Sequence, residues 1–379
     1  MRPCPSTPSP YQRPLSARRL VRSFDSISAD YNTRFTCRHP PVDRLTPLLY
    51  PCLAPWKEPG GPVVQPLDDA QVQEIEHHAV EIARGAGEIL ASHFGRRIEV
   101  EFKDDKQRDP VTVADKSTQA YLAAEIARRF PEHGILGEEA TKEEQESEEP
   151  ARDTLWVLDP LDGTTNFLNG LPVFASSIGV IHRGRPVAAA LYVPWPTEGG
   201  GFVLHCHKGG GCFADDEPVK VLETEQPIPN RLIGLPGYFG VAQRFTGDLA
   251  NKAGEPRTTG SIAYELAMTA RGVMQYAIFG APRMWDMAGG ALAVQEAGGT
   301  VMTRFKGERR WHPLDSLVPS WEEKTPTMKE LRAWVAPIVA GNHNLAPLIA
   351  NNVRRRFSLK ARLRPLTRAL RGKSRQART

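Results

Sequence analysis

Three short acidic segments hold the residues of this 379-residue chain whose types and spacing could do chemistry. The first runs Asp109-Pro110-Val111-Thr112-Val113-Ala114-Asp115 and is followed by Gly137-Glu138-Glu139. The second is Trp156-Val157-Leu158-Asp159-Pro160-Leu161-Asp162-Gly163-Thr164-Thr165-Asn166-Phe167, and the third is Trp285-Asp286-Met287-Ala288-Gly289-Gly290. In the second, Asp159 ends an apolar run and Pro160 is expected to stop the strand. Asp162 follows, and then a Gly163-Thr164-Thr165 turn that opens a helix. Two carboxylates at a strand end beside a glycine turn suit a hard cation bridged to phosphate. The carboxylates take the cation, and the free N–H groups of the turn take phosphate oxygens. Read alone, the same residues also fit a capped turn, because Asp and Thr are common caps.

The other segments shift that balance. Glu138 follows a short apolar stretch, and Asp286 follows Trp285 at the start of a small-residue helix. Acidic residues at element ends beside buried strands tend to face one cleft. Converging carboxylates repel one another unless a cation neutralises them. Donors that are all oxygen favour Mg²⁺ over Zn²⁺.

Taken together, the three segments resemble the inositol monophosphatase family, within the lithium-sensitive Mg²⁺-dependent phosphatases. The resemblance covers roughly residues 68–352. It implies an α/β (α+β) fold, a layered αβαβα sandwich, and Mg²⁺-dependent hydrolysis of a small phosphate monoester by metal-activated water. Carried over residue by residue, it implies that Glu138, Asp159 and the backbone carbonyl of Leu161 hold one Mg²⁺. Asp159, Asp162 and Asp286 would hold a second, and Glu138 with water a weaker third. Thr164, linked to Asp115, would activate the attacking water. Gly163, Thr164 and Thr165 would offer N–H groups to phosphate. Lys103 stands where the family often has a lysine near the metals. Gly260 and Ser261 keep the small and hydroxyl types of the loop on the substrate side. Inositol-specific members carry an acid near the position of Phe279, so an apolar wall is expected there and a substrate other than inositol phosphate is open. Histidinol phosphate and 3′-phosphonucleotides are the alternative substrates. A non-catalytic member binding through its basic tail is the alternative of a different class, and the intact carboxylates argue against it. The resemblance also implies a homodimer, and a cytoplasmic location is expected.

Positioning these residues requires helices and strands in alternation. Asp68 is a good N-cap, and Val72, Ile75, Ala79, Ile82, Ala83, Ala86, Ile89 and Leu90 follow at helical spacing, which predicts a helix over 69–93. Further helices are expected over about 115–130, 241–252, 261–271, 286–297 and 343–356. Strands are expected at Gly134–Gly137, Leu155–Leu158, Phe174–His182, Val187–Val193, Phe202–Leu204, Gly209–Phe213, Val219–Leu222 and Val335–Ala340. The seven glutamates of 138–149 read as a solvated mobile loop. Such alternation argues for an α/β or α+β sandwich.

The charge is unevenly spread. Residues 1–66 carry nine basic and four acidic side chains, and 353–379 carry eleven basic and none acidic. The stretch 67–352 is left with 28 basic against 40 acidic, so the expected body is acidic. That argues against specific nucleic-acid binding by the body. Residues 1–66, with thirteen prolines and no apolar period, read as a disordered extension or an organelle signal. The catalytic domain is expected over 67–352, in halves of about 67–195 and 196–352, and 353–379 as a solvated basic tail rather than an amphipathic helix. No apolar run reaches the roughly 18 residues of a membrane span. His205-Cys206-His207 with Cys212 lacks the usual zinc-ligand spacing, so a hairpin is expected there. Trp195, between two prolines, reads as a packed loop residue. Cys4, Cys37 and Cys52 lie in the extension and only Cys206 and Cys212 in the body, which fits a reducing compartment.

Overall fold

The computed structural model describes residues 67–97, 100–102 and 110–356. The sequence expectations for 1–66, Lys103, Asp109 and 357–379 lie outside them.

Helix α1 (Asp69–His93) starts where expected, because Asp68 and Gln71 form a reciprocal capping box. A two-stranded ribbon, β1 (Val100–Phe102) and β2 (Pro110–Thr112), leads into α2 (Val113–Arg129). A seven-stranded sheet follows in simple chain order: β3 (Gly134–Gly137), β4 (Thr154–Asp162), β5 (Ala175–His182), β6 (Arg185–Pro194), β7 (Gly201–His207), β8 (Gly211–Ala214) and β9 (Glu217–Pro218). Only the β3–β4 pair is parallel. Two short helices, α3 (Lys142–Gln145) and α4 (Thr164–Leu168), interrupt it.

The second sheet has six strands, in the order β12-β10-β13-β16-β14-β15. They are β10 (Leu232–Gly234), β12 (Glu255–Arg257), β13 (Met274–Phe279), β14 (Gly299–Thr303), β15 (His312–Pro313) and β16 (Ile338–Asn342). Between them along the chain come α5 (Phe239–Ala242), β11 (Gln243–Phe245), α6 (Ile262–Ala270), α7 (Met284–Glu296) and α8 (Met328–Arg332). Helix α9 (Leu345–Asn352) and β17 (Val353–Arg355) follow, and β17 pairs antiparallel with β11.

Three apolar clusters define the layers. Ile75, Ala79, Ile82 and Ala86 of α1 and Leu122 and Ile126 of α2 pack on Trp156, Leu158, Ile178 and Val180, covering the outer face of the first sheet. Leu266 and Ala267 of α6 and Met287, Ala291 and Leu292 of α7 join Val157, Ala189 and Leu191 to Ala277, Val301 and Ala340, filling the space between the sheets. Leu345, Ala346 and Ile349 of α9 cover Tyr276, Ile278 and Val339 on the far side of the second sheet. The architecture is the five-layer αβαβα sandwich. Gly179 and Gly289 let α7 lie directly on β5, since a Cβ on Gly179 would sit 2.6 Å from the Gly289 nitrogen.

Several expectations are corrected. β4 does not stop at Pro160 but runs on to Asp162, with its register to β5 broken between Asp159 and Asp162. A proline is tolerated at such an irregularity because the ladder bond it cannot make is already lost. The glutamate-rich loop is not free. It contains α3, and Glu149 and Ser147 accept backbone bonds from Met328 and Lys329. The predicted helix 241–252 is α5, β11 and a 3₁₀ turn at Gly247–Asn251. The last helix ends at Asn352, so the start of the basic tail is strand β17. Val219–Leu222 is not a strand, and the strand near 335 begins at Ile338. A division at 195/196 would cut the first sheet, because β6 and β7 pair across it from Ala188↔His207 to Pro194↔Gly201. No helix among the described residues is long and apolar enough to cross a membrane.

Candidate active site

The site gathers where β3, β4, α2, α6 and α7 end or begin. Thr112 caps α2: its Oγ1 accepts from the Ala114 and Asp115 N–H groups, and Asp115 Oδ2 accepts from the Thr112 N–H at 2.8 Å and hydroxyl at 2.6 Å. This capping box fixes Asp115, which is 2% exposed, with Oδ1 turned toward β4. There Thr164 Oγ1 stands 3.1 Å from Asp115 Oδ1 and 3.0 Å from the Leu161 carbonyl oxygen. Burial pushes the Asp115 carboxyl up, the bonds from Thr112 and Thr164 oppose this, and the net shift is upward.

Gly163 makes the turn possible. Its φ is +95°, and a Cβ there would meet Ser261 Cβ and the Val173 carbonyl oxygen at 3.0 Å. Thr164 then opens α4. Ser261 caps α6 and donates its hydroxyl to Asp162 Oδ2 at 2.8 Å, and the Ala263 N–H donates to the same oxygen. Asp159 Oδ1 accepts from the Leu161 N–H at 3.1 Å. Asp286 sits in the first turn of α7, where its Oδ2 accepts from the Arg283 N–H at 2.8 Å. Glu138 follows β3, and its N–H donates to the Leu158 carbonyl at 2.9 Å, so it stands beside the end of β4.

Electrostatics ties the four carboxylates together. Burial, and then the charges of Glu138, Asp162 and Asp286, hold the Asp159 carboxyl well above the usual carboxylate range, and Glu138 is hydrogen-bonded to it. Desolvation and Asp286 hold Asp162 well above it too, against the donors Ala263 and Ser261. Among the described residues no three or more His, Cys, Asp or Glu side chains form a ready-made metal cage. The donors nonetheless fit Mg²⁺: they are all oxygens, they are mutually repelling, and Asp159 is buried among them.

The resemblance drawn from sequence is matched by comparison with known proteins. Residues 71–336 match the model of the inositol monophosphatase family. The chain belongs to that family. It is 36% identical over 246 residues to the Nus factor SuhB of Escherichia coli K12, covering 63% of this chain and 88% of that protein. It is 30% identical over 231 residues to a fructose-1,6-bisphosphatase/inositol-1-monophosphatase of Thermotoga maritima, covering 61% and 84%. It is 34% identical over 245 residues to inositol monophosphatase 3 of Solanum lycopersicum, covering 62% and 87%. In fold it resembles the Thermotoga maritima IMPase, with a TM-score of 0.56 at 24% identity over 73% of this chain and 96% of that one. As a member of the inositol monophosphatase family the chain is a phosphomonoester hydrolase, and a non-catalytic role is not favoured.

The structure places Asp115, Glu138, Asp159, Leu161, Asp162, Gly163, Thr164, Ser261 and Asp286 around this one region. Thr165 lies beside Thr164 in α4. Gly260 takes φ +83° and lies against Asn166. Phe279 departs from expectation. It is 5% exposed and belongs to the core cluster between the sheets, with Ala277, Met284 and Met287. Alternation along β13 turns 277 and 279 to that face while Tyr276 and Ile278 face α9. Its ring is therefore packing, not an open apolar wall.

Sequence reasoning missed the supports. Asn166 Nδ2 donates to the Val173 and Thr259 carbonyls, at 2.6 and 2.7 Å, and so staples the glycine turn to the Gly260 loop. Buried Glu265 holds the same loop through the Thr259 N–H and hydroxyl, at 3.0 and 2.8 Å. Asn166 was visible as part of its motif; nothing in the spacing pointed to Glu265. Elsewhere, His205 and His207 share the carboxylate of Glu76 on α1, which takes His205 Nδ1 at 2.7 Å and His207 Nδ1 at 2.5 Å. Cys206 and Cys212 face each other across β7–β8 as free buried thiols. Trp195 packs edge-on to Phe202, with Arg271 over its ring.

Proposed function

We propose that the chain hydrolyses a small phosphate monoester of the inositol phosphate type with two or three Mg²⁺ ions at this site. The observation that carries the reading is the Asp115–Thr164–Leu161 arrangement beside the crowded carboxylates of Asp159 and Asp162. Glu138, Asp159, Asp162, Asp286 and the Leu161 carbonyl would hold the metal. When bound, Mg²⁺ neutralises these carboxylates and acts as Lewis acid toward water and the leaving oxygen. Asp115 accepts a hydrogen bond from the Thr164 hydroxyl, which orients that hydroxyl and turns a lone pair toward the attacking water. The N–H groups at the start of α4, exposed by the turn at Gly163, take phosphate oxygens. Ser261 fixes Asp162 and lines the substrate side with Gly260. The reading is supported by the family membership and by relatives that bear inositol monophosphatase names. Dimerisation belongs to the same proposal and is read by sedimentation equilibrium.

The test is phosphate release from inositol 1-phosphate, glycerol 2-phosphate, histidinol phosphate and a 3′-phosphonucleotide, with Mg²⁺ titrated from zero. Mg²⁺-dependent turnover of inositol 1-phosphate is the expected result. Turnover indifferent to Mg²⁺ would overturn the metal assignment, and turnover confined to one of the other esters would overturn the substrate.

A further inference from the structure

We infer that Arg283 and Arg332 form a subsite for a second anionic group of the substrate, so that the preferred monoester carries a carboxylate or a further phosphate beyond the one removed. The inference rests on reading the carboxylate cluster as the phosphoryl-transfer site. A cavity of about 650 Å³ opens beside that cluster, and its lining includes Glu138, Arg283, Trp285, Asp286, Lys329 and Arg332. Two of these are proposed metal ligands, and three are cations.

The cations are not equivalent. Lys329 is engaged, with Nζ 2.8 Å from Glu146 and 3.1 Å from Glu148, and so clamps α8 to the glutamate-rich loop. Arg332 and Arg283 make no ion pair with a carboxylate among the described residues. Arg332 Nη1 donates to the Gly137 carbonyl at 2.6 Å, one residue before Glu138. Its Nε is buried and has no hydrogen-bond partner. Arg283 Nη1 reaches the Arg332 carbonyl at 3.4 Å. Two guanidinium groups are thus held next to each other by backbone carbonyls; the Glu144 charge acts on Arg332, but neither guanidinium has a carboxylate at ion-pair distance among the described residues. Leaving a buried guanidinium N–H unpaired is costly, and burial lowers the Arg332 pKa.

Several candidates could supply the missing anion. Glu146, which also lines the cavity, is paired with Lys329, and Glu144, whose charge reaches Arg332, accepts from the Thr141 N–H in the cap of α3. Glu138 and Asp286 are committed to metal in the proposed mechanism. The phosphate being cleaved is placed at the Gly163 turn by the N–H groups of α4. A second anion on the substrate is what remains, and guanidinium forks match carboxylate and phosphate geometry. A cavity of this volume admits such a molecule whole.

The test compares a matched pair, glycerol 2-phosphate and 2-phosphoglycerate, which differ by one carboxylate. The wild type is expected to favour 2-phosphoglycerate in kcat/KM by about tenfold or more at low salt, as for one charge-assisted hydrogen bond. Arg283→Ala and Arg332→Ala are each expected to bring that ratio toward one, and Arg332→Lys to keep most of it. A purely structural role would lower both substrates together and leave the ratio unchanged, which overturns the subsite, as does a wild-type ratio near one. Absence of turnover on both would count against the phosphatase reading instead. The subsite is then decided by calorimetry with the same two ligands: arginine-dependent tighter binding of 2-phosphoglycerate supports it, and equal binding overturns it.

Discussion

Thr164 Oγ1 lies 3.1 Å from Asp115 Oδ1 and 3.0 Å from the Leu161 carbonyl oxygen, and its single proton can serve only one of them at a time. Both partners accept, so the hydroxyl is held at a fixed point with a lone pair left over. Thr164→Ala is therefore expected to lower kcat by roughly 10²–10⁴-fold, the worth of a positioned proton-transfer group. Thr164→Ser should retain most activity. An effect confined to KM in Thr164→Ala would mean that Thr164 only binds phosphate.

Asp159 joins activity to stability in opposite senses. Burial and the neighbouring carboxylates hold its folded pKa well above the ordinary 3.8, and Asp162 behaves alike. A carboxylate with a raised folded pKa binds more protons folded than unfolded, so stability falls as pH rises through and beyond 3.8. In EDTA the melting temperature should decline over that range, and saturating Mg²⁺ should reverse the decline. Asp159→Asn should abolish turnover yet flatten the decline. Near wild-type turnover of Asp159→Asn in saturating Mg²⁺ would remove Asp159 from the site.

Glu76 clasps α1 to β7 through His205 and His207, and its pH signature differs. Burial pushes the Glu76 carboxyl up from 4.5, but the two histidines outweigh it and the net shift is down. Burial pushes His205 down from 6.5, but Glu76 and the Asp215 carbonyl together outweigh it and the net shift is up. The Glu76 contribution is present above 4.5 and lost as pH falls through its folded pKa. The His205 contribution is complete below 6.5 and lost as pH rises through its folded pKa. Glu76→Gln should thus destabilise most between about pH 4.5 and 6.5 and less at alkaline pH, by about 1–3 kcal/mol at its maximum. Denaturant melts of both proteins across pH check this; a difference that grows with alkalinity refutes it.

Gly163→Ala tests the turn. Left-handed backbone at φ +95° costs a non-glycine residue about 1–2 kcal/mol, and the new methyl would press on Ser261 and Val173. We expect a lower melting temperature and a large loss of activity, since Asp162 and Thr164 flank the displaced backbone. Unchanged kinetics would show that the turn is not part of the phosphate site.

Removal of residues 1–66 is expected to leave folding and turnover intact. Asp68 caps α1 through Gln71, and α1 buries its apolar face on the first sheet. Insoluble or inactive truncated protein would move the boundary of the catalytic domain.

How much of this was legible in the sequence depended on the range of the interaction. The start of α1 and the glycine turn at Gly163 are local, fixed by residues within a few positions of one another, and side-chain type announces them. The order and content of the three acidic segments sufficed for the family and the αβαβα fold. What spacing could not reveal was decided by packing between distant segments. Arg332 meets Gly137, 195 residues away, and Ser261 meets Asp162, 99 residues away. Phe279 looked like a substrate wall because of where it falls before Trp285-Asp286. The alternation of β13 and the need to fill the space between two sheets turned it inward instead, because apolar burial is settled by which face meets the core. The continuation of β4 through Pro160 likewise needed the partner strand, since only the broken register with β5 shows that the proline costs no ladder bond there.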